Sequence, residues 1–332
     1  MCVYVFAGCW IVDPIRLLGL LGFSVLLCLP GSAQINRTLV KSFPVDQSVA
    51  LEFDLFEADL AIQHGQAGVV KIYAITNSIS GDKADEQAEF DVANSELLFE
   101  RRENLIRIAS KKNGTTKARF KVSYRVETPL ETQLNCKIKR GSLAVIGLEG
   151  PVQAEMVDGK IDISHVIKDV RATAQSGEVV IDAVSAPVHA SVGNGNITVS
   201  RAPMETITET GSGDITLLVV GAATASVEDG SGRITVGGAR GPLQLVTKDG
   251  QIHVKGDAHG DWQLKTLSGD IQVELPSNAH FDIDAITKSG KILAQRNNIE
   301  ASSLAGQELH QKVNGGGKTI QLSTNGGRIT IR

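Results

Sequence analysis

Ten short glycine-led phrases recur down this chain at a nearly constant interval, and they constrain its fold more than any other feature. Each places apolar residues two and four positions after the glycine, as in Gly159-Lys-Ile-Asp-Ile and Gly213-Asp-Ile-Thr-Leu. The first five glycines are 18 residues apart, and the next four intervals are 19, 18, 19 and 21 residues. The glycines are Gly141, Gly159, Gly177, Gly195, Gly213, Gly232, Gly250, Gly269, Gly290 and Gly327. A fixed period of this kind predicts a stacked-repeat architecture.

Polarity alternates on both sides of each glycine. Counted from the glycine, positions +2 and +4 are apolar in nearly every repeat, and positions −7, −5 and −3 show the same parity, as in Val188, Ala190 and Val192. Alternation with a period of two is typical of a half-buried strand. Ser, Asn or Asp usually precedes the glycine, and such pairs favour tight turns. The pattern therefore predicts two short strands per repeat, joined at the glycine.

A single repeat cannot bury its apolar side, whereas stacked repeats bury it against one another. We therefore predict an all-β fold, a parallel β-solenoid resembling a single-stranded β-helix, with about ten coils of 18–19 residues. A set of antiparallel hairpins is the competing interpretation, because Ser-Gly or Asp-Gly between two strands is also a hairpin signal. The constant register through every repeat favours the solenoid.

The N-terminal part of the chain departs from the repeat. Residues 1–33 combine Arg16, an apolar run over 17–29 and small residues up to Ala33, which predicts a secretory signal peptide cleaved after Ala33. A start codon further downstream and a retained anchor are alternatives. Residues 34–130 are strand-rich but irregular, with Ala58 in the position of the glycine. We expect this segment to be a degenerate, partly antiparallel N-terminal cap of the solenoid.

The C-terminal part also departs from the repeat. The regular coils run over residues 131–294, residues 295–317 form an insertion, and a final coil occupies residues 318–332. We expect the last strand of that coil to be open, and an open strand invites pairing with another chain. Charged groups such as Arg328 and Arg332 could protect it, the insertion could fold back over it as a lid, or another chain could dock there.

Three further phrases accompany the repeats: Tyr124-Arg-Val-Glu-Thr-Pro129, Gly147-Leu-Glu-Gly150 and the closing run Gly-Gly-Lys-Thr-Ile-Gln-Leu-Ser-Thr-Asn-Gly-Gly-Arg-Ile-Thr-Ile over 316–331. With the glycine-led phrases, they make residues 38–332 resemble a family of secreted bacterial β-strand-repeat proteins usually described as adhesins, a domain of unknown function. The resemblance implies the fold and a cell-envelope setting. It supplies no catalytic residues.

Composition and cysteine usage exclude several classes of function. The net charge is −4 with no basic tract, which argues against nucleic acid and anionic membranes as partners. Three of the four cysteines lie in the predicted leader, so an intrachain disulfide is not expected, and Cys136 falls at an inward position as a buried thiol. The seven histidines show no metal-ligand spacing. We therefore predict no metal site and no cofactor.

The outward rows do not stack two carboxylates beside a base, and paired carboxylates are the minimum for glycoside hydrolysis. We therefore predict no catalytic residues and no enzyme activity. The alternative is a polysaccharide-active enzyme that uses Asp162, Asp182 and His189, because solenoids often carry such activities.

The residue after each glycine forms an outward row with alternating charge. Its members are Lys160, Glu178, Asn196, Asp214, Arg233, Gln251, Asp270 and Lys291. Several neighbours are opposite in charge, namely Lys160 with Glu178, Asp214 with Arg233, and Asp270 with Lys291. Such a row keeps coils in register through cross-strand pairs, and it could instead serve as a contact strip for carbohydrate or protein.

The hypothesis that these features support is an exported, non-enzymatic β-solenoid that acts as an adhesin-like binding or structural module of the bacterial cell envelope. Its location would be periplasmic, outer-surface or secreted. Its partner would be an envelope protein or polymer. A self-assembling scaffold that associates through the C-terminal coil is a further alternative.

Overall fold

A computed structural model describes residues 36–46, 48–78, 97–110, 120–296, 298–299 and 308–332. All helical or strand structure in these ranges is β-strand, and 23 strands form one hydrogen-bonded sheet. The predicted signal peptide, residues 1–33, lies outside the described residues. The ranges that are described contain no helix long and apolar enough to span a membrane.

The strands fall into four groups along the chain. The first six are β1 (Asn36–Pro44), β2 (Val49–His64), β3 (Val69–Ser78), β4 (Leu97–Arg102), β5 (Leu105–Ser110) and β6 (Phe120–Thr128). Four long strands follow: β7 (Thr132–Leu148), β8 (Val152–Val166), β9 (Val170–Val184) and β10 (Val188–Ala202). Eight short ones come next: β11 (Thr206–Ser212), β12 (Ile215–Val220), β13 (Ala223–Val227), β14 (Ile234–Gly237), β15 (Leu243–Thr247), β16 (Ile252–Lys255), β17 (Trp262–Thr266) and β18 (Ile271–Glu274). The last five are β19 (Phe281–Thr287), β20 (Ile292–Ala294), β21 (Glu308–Val313), β22 (Lys318–Thr324) and β23 (Ile329–Ile331).

The repeats stack in parallel, as the sequence predicts. Strands β7, β8, β9 and β10 pair in a register that places Gly141, Gly159, Gly177 and Gly195 opposite one another. The parallel pairing continues from β10 to β11 and β12, and on through β13 to β18 two strands per coil. The parallel β-solenoid is therefore confirmed, and the hairpin interpretation does not describe these coils.

The core lies between the two halves of each coil, where the residues of inward parity meet. Ile161, Ile163 and Trp262 are fully buried, as the alternation predicts. Cys136 is also fully buried, and burial raises the pKa of its thiol above the ordinary range. Each coil contributes its apolar residues to one continuous cluster, so the stack has a single core.

The turn at the glycine takes two forms, of which the sequence predicts only one. From β11 onward two short strands meet at or near the glycine, as expected. In β7 to β10 a single strand runs through it, so the prediction of two separate strands is wrong for these coils. There the glycine adopts a positive φ, between +123° and +149°, and the strand bends without breaking its ladder. Other residues rarely adopt this conformation.

A threonine distinguishes the later coils. At position −3 the early coils carry Ile138, Met156, Ala174 and Val192, whereas Thr266 and its equivalents occupy that position later. The Thr266 hydroxyl donates to the Gly250 carbonyl oxygen at 3.1 Å and accepts the Gly269 N–H at 3.0 Å. Thr247, Thr287 and Thr324 make the same pair of bonds. The buried hydroxyl thus joins one coil to the previous one and fixes the glycine turn.

The N-terminal strands begin the stack in an irregular way. Strand β2 is a full coil, because it pairs in parallel with β7 and places Ala58 opposite Gly141, as its sequence predicts. On its other edge β2 pairs in parallel with β5 and β6. Beyond these strands the pairing is antiparallel, from β5 to β4, from β6 to β3 and from β3 to β1.

The C-terminal coil is not at the open end of the stack, so that expectation is wrong. Strand β22 pairs in parallel with β17 on one edge and with β19 on the other. Strand β23 is likewise held between β18 and β20. Residues 318–331 therefore occupy the interval between two earlier segments of the chain. The repeat pattern of β19 and β20 fits either position, which is why the sequence does not distinguish them.

The outermost strand at this end comes from the insertion. Strand β21 pairs antiparallel with β19, and it places His310 opposite Asp284 and Lys312 opposite Asp282. Residues 308–313 of the insertion do fold back, but they cover β19 and not the final coil, so the lid alternative is wrong about the strand that is covered. Residues 300–307 lie outside the described ranges.

Candidate binding surface

The residues that follow the glycines form one exposed row, defined here as the plus-one row. Its order along the stack is Lys160, Glu178, Asn196, Asp214, Arg233, Gln251, Asp270, Arg328 and Lys291. All nine side chains are exposed. The structure therefore brings together the eight predicted contact residues and adds Arg328, which the sequence analysis assigned to the open end.

A ladder of glycines lies beside the plus-one row, and close backbone approach explains it. A Cβ built on Gly177 would lie 1.8 Å from the Gly159 carbonyl oxygen, and one on Gly269 would lie 1.6 Å from that of Gly250. Each glycine faces the one before it in the stack in this way, beginning with Gly141 over Ala58. Because these contacts are with backbone atoms, a side chain at any of these positions would force the backbone to shift.

The first predicted charge pair of the row is present. The Lys160 ammonium lies 3.1 Å from a Glu178 carboxylate oxygen on the next coil. About half of each side chain is exposed, so a surface pair of this kind stabilises the fold by only ~0.2–1 kcal/mol.

Further along the row, side chains bind the backbone of the next coil. Asn196 Oδ1 accepts the N–H of Asp214 at 2.9 Å, and Asp214 Oδ1 accepts the N–H of Arg233 at 2.8 Å. The Arg233 guanidinium donates to Gln251 Oε1 at 3.2 Å. The expected pair of Asp214 with Arg233 is therefore a carboxylate–backbone bond, in which the carboxylate replaces a carbonyl oxygen in the ladder.

The third predicted pair, Asp270 with Lys291, is wrong. Arg328 of the final coil lies between them, and Asp270 Oδ1 accepts the Arg328 N–H at 2.7 Å. The Lys291 carbonyl oxygen accepts the N–H of Ile329 at 2.9 Å. This correction follows from the position of residues 318–331 between the two coils.

A second polar ladder lies on the other side of the glycines. The hydroxyl of Ser176 donates to Asp158 Oδ1 at 2.9 Å, and that of Ser212 donates to Asn194 Oδ1 at 2.7 Å. From the sequence we predict only turn formation for these residues. Their spacing of one repeat is the signal that identifies them as cross-coil partners.

The three residues proposed for a polysaccharide-active site are not brought together. Asp182 accepts hydrogen bonds from Ser200 Oγ at 2.6 Å and Arg201 Nε at 2.8 Å. The bond from Arg201 is the main reason why the pKa of Asp182 falls to about 2. Asp162 faces Val180 across β8 and β9, and His189 faces Arg171 in the other half of the coil. Asp182 is thus a permanently charged partner of Arg201 at neutral pH.

Glu274 occupies the same repeat position as Asp182 and collects polar groups from three coils. Its Oε1 accepts a bond from Gln272 Nε2 at 2.7 Å and lies 3.3 Å from His253 Nε2. Lys255 and Arg332 lie 3.7 Å and 3.9 Å from its carboxylate oxygens. The pKa of Glu274 is lowered, first by the Gln272 bond. This cluster links the final coil, residues 318–332, to the two coils on its inner side.

A cleft of about 800 Å³ opens where the N-terminal strands meet the first regular coils. The β4–β5 turn, residues 102–105, forms one wall, and the starts of β2 and β7 with residues 149–151 and 167–168 form the rest. Its volume is in the range of small-molecule sites. No sequence signal identifies it, because its walls are distant in the chain. Across the ranges that the structure covers, no group of three His, Cys, Asp or Glu side chains could hold a metal ion.

Comparison with known proteins gives one family match. The family model described as Toastrack DUF4097 matches residues 51–332. No curated protein matches the sequence.

Several solved structures match at low identity, and three of them are described as a "putative adhesin". One from Parabacteroides distasonis is 11% identical, covers 89% of this chain and 97% of its own, and has a TM-score of 0.37. One from Bacteroides fragilis is 12% identical, covers 89% and 97%, and has a TM-score of 0.33. One from Parabacteroides merdae is 14% identical, covers 72% and 96%, and has a TM-score of 0.34.

Proposed function

Because the chain belongs to the Toastrack DUF4097 family, we propose that it is an exported, non-enzymatic β-solenoid that acts as an adhesin-like binding or structural module of the bacterial cell envelope. The observation that carries the proposal is the plus-one row, a series of exposed polar side chains in register over nine successive coils. The predicted signal peptide over residues 1–33 supports export.

The plus-one row suits an extended polar partner. Its side chains repeat at one strand spacing, about 4.8 Å, and basic, acidic and amide groups alternate along it. Gly159, Gly177, Gly195 and Gly213 are partly exposed and add no side chain beside the row, so a partner chain can approach it closely there. Asn196, Asp214 and Asp270 bind the backbone of the next coil. Lys160, Glu178 and Gln251 contact only other side chains of the row and are exposed, so they are the groups that would contact the partner.

The proposal is tested by binding of the labelled protein to isolated envelope fractions of bacteria that carry the gene. We expect saturable binding that unlabelled protein displaces. A variant with Lys160, Glu178 and Gln251 replaced by Ala should lose most of it, because it removes row contacts without removing a backbone bond.

A matched control replaces Arg171, Gln244 and Gln263 by Ala, which are outward residues of the other half of the coil. This control should bind like the unmodified protein. Unsaturable binding, or equal binding by both variants, would contradict the proposed role of the row.

A further inference from the structure

Residues 318–331 fill a slot that the preceding coils build. The slot has two walls, β17 with β18 on one side and β19 with β20 on the other. Both walls are parallel to the strand between them, so they stand two strand spacings apart, roughly 9–10 Å. The slot therefore accepts a peptide segment made of two short strands joined at a glycine, in register with both walls.

Residues 318–331, called here the inserted segment, make contacts that depend on their particular side chains. Ile320, Leu322, Ile329 and Ile331 are buried almost completely between the walls. A Cβ on Gly327 would lie 1.8 Å from the Gly269 carbonyl oxygen, so only glycine fits at that point. The inserted segment is thus recognised by side-chain packing, by a glycine requirement and by its backbone ladder.

The outer wall has an attachment of its own to the coil before it. The Arg296 guanidinium donates to the carbonyl oxygens of Leu275 and Pro276 at 2.8 Å each and to that of Ser277 at 3.2 Å. It also donates to the Arg332 carbonyl oxygen at 3.1 Å. Three of these four bonds are with residues outside the final coil, so Arg296 attaches the outer wall to the connection between β18 and β19 independently of that coil.

The inserted segment follows a glycine turn, which links β21 to β22 through Asn314, Gly315, Gly316 and Gly317. The first three have positive φ values, and a Cβ on Gly315 would meet no atom within 4 Å. Consecutive glycines give this turn wide conformational freedom. The contacts of residues 318–331 in the slot are the same whichever copy of the chain supplies the segment.

We propose that the slot also accepts residues 318–332 of a second copy, so that two molecules exchange their C-terminal coils and the Asn314–Gly317 turn is the hinge. Exchange of an identical element is a low-cost route to a dimer, because the contacts of residues 318–332 with the two walls are kept and only those of the hinge turn change. The sequence leaves association through an open edge of this coil as one alternative, and the proposal replaces that edge contact by insertion. The proposal is independent of envelope binding.

The test is a disulfide between two singly substituted chains. Gln263 and Gln321 face each other on neighbouring parallel strands and are exposed, at a Cα separation that a disulfide bridges. Chains carrying Gln263→Cys or Gln321→Cys, with Cys2, Cys9 and Cys28 replaced by Ser, are mixed unfolded, refolded at high concentration and oxidised. We expect a cross-linked heterodimer.

Two controls distinguish exchange of the C-terminal coil from non-specific cross-linking between molecules that meet in solution. Gln244 lies one strand beyond Gln263, so a mixture of Gln244→Cys with Gln321→Cys should give several-fold less heterodimer. Adding Gly327→Val to the Gln321→Cys chain should abolish the specific cross-link, because that segment no longer fits. Absence of the heterodimer, equal yields from both cysteine mixtures, or a cross-link that survives Gly327→Val would overturn the proposal.

Discussion

Alanine substitution in the glycine ladder separates two reasons for glycine that coincide in the early coils. Gly195 has a φ of +149°, and a Cβ there would lie 1.7 Å from the Gly177 carbonyl oxygen. Gly269 has the close approach, 1.6 Å from the Gly250 oxygen, without a positive φ. Gly315 has a φ of +92° with no atom within 4 Å of its Cβ position. Gly195 therefore carries both constraints, Gly269 carries the close contact alone, and Gly315 carries the backbone conformation alone.

The expected losses follow from these geometries. Holding alanine at a positive φ costs ~1–3 kcal/mol, and forcing a methyl group into a packed site costs ~1–3 kcal/mol. Gly195→Ala should therefore lower the free energy of unfolding by about 4 kcal/mol, the sum of the two mid-range values. Gly269→Ala should cost about 2 kcal/mol. Gly315→Ala should cost about 1 kcal/mol, because alanine also reduces the entropy of the unfolded chain.

The assay is equilibrium unfolding in urea, followed by far-ultraviolet circular dichroism, with the slope of the transition compared across the three variants. An unchanged slope keeps the comparison within two-state behaviour. If Gly269→Ala were as mild as Gly315→Ala, contact with the preceding coil would not be the constraint. If Gly315→Ala were as damaging as Gly195→Ala, backbone conformation alone would explain the ladder.

Three further predictions concern single side chains. Val219 is a β-branched residue with a φ of +54° and is exposed, so Val219→Gly should raise the free energy of unfolding by about 1 kcal/mol in a urea titration. Thr266→Val removes the hydroxyl that bonds to the Gly250 and Lys248 carbonyl oxygens and to the Gly269 N–H, and it should cost ~1–3 kcal/mol. Thr216→Val, on the outward side of β12, should change stability by less than about 0.5 kcal/mol. The folded-state pKa of Asp182 is lowered to about 2 from 3.8, so its contribution is present above pH 3.8 and is lost as the pH falls towards 2. That loss, about 1 kcal/mol or less, should be smaller in Arg201→Gln, in which the Ser200 bond still lowers the pKa of Asp182, and an acid titration that is the same for both proteins would contradict it.

Local alternation of polarity predicts much of this fold. In a strand such as β8, apolar residues like Ile161 and Ile163 identify the buried side, because the side chains of a strand alternate between two faces. The glycine spacing sets the register, because a shifted coil would place a Cβ against a carbonyl oxygen. Even Ala58 in β2 is identified by its place in the repeat. These features depend on one coil and its immediate neighbour, so a single sequence specifies them.

The order of the last coils depends on a choice that the repeat does not encode. Residues 281–294 and 318–331 carry nearly the same pattern, so either fits against β17 and β18. The structure places the second of them there, and the pairing of Asp270 with Lys291 fails for that reason. The role of the threonine at position −3 is not predictable from the sequence, because an inward polar residue looks like an interruption of the apolar pattern. Only the structure shows the backbone groups to which its hydroxyl is hydrogen-bonded.

The position of residues 318–331 also bears on the order in which the molecule is completed. These residues are synthesised after both of the coils that flank them, so adding coils one by one in chain order cannot give the final order of the stack. The last coil of the chain enters between two earlier ones, and β17, β18, β19 and β20 gain their final neighbours only when it does.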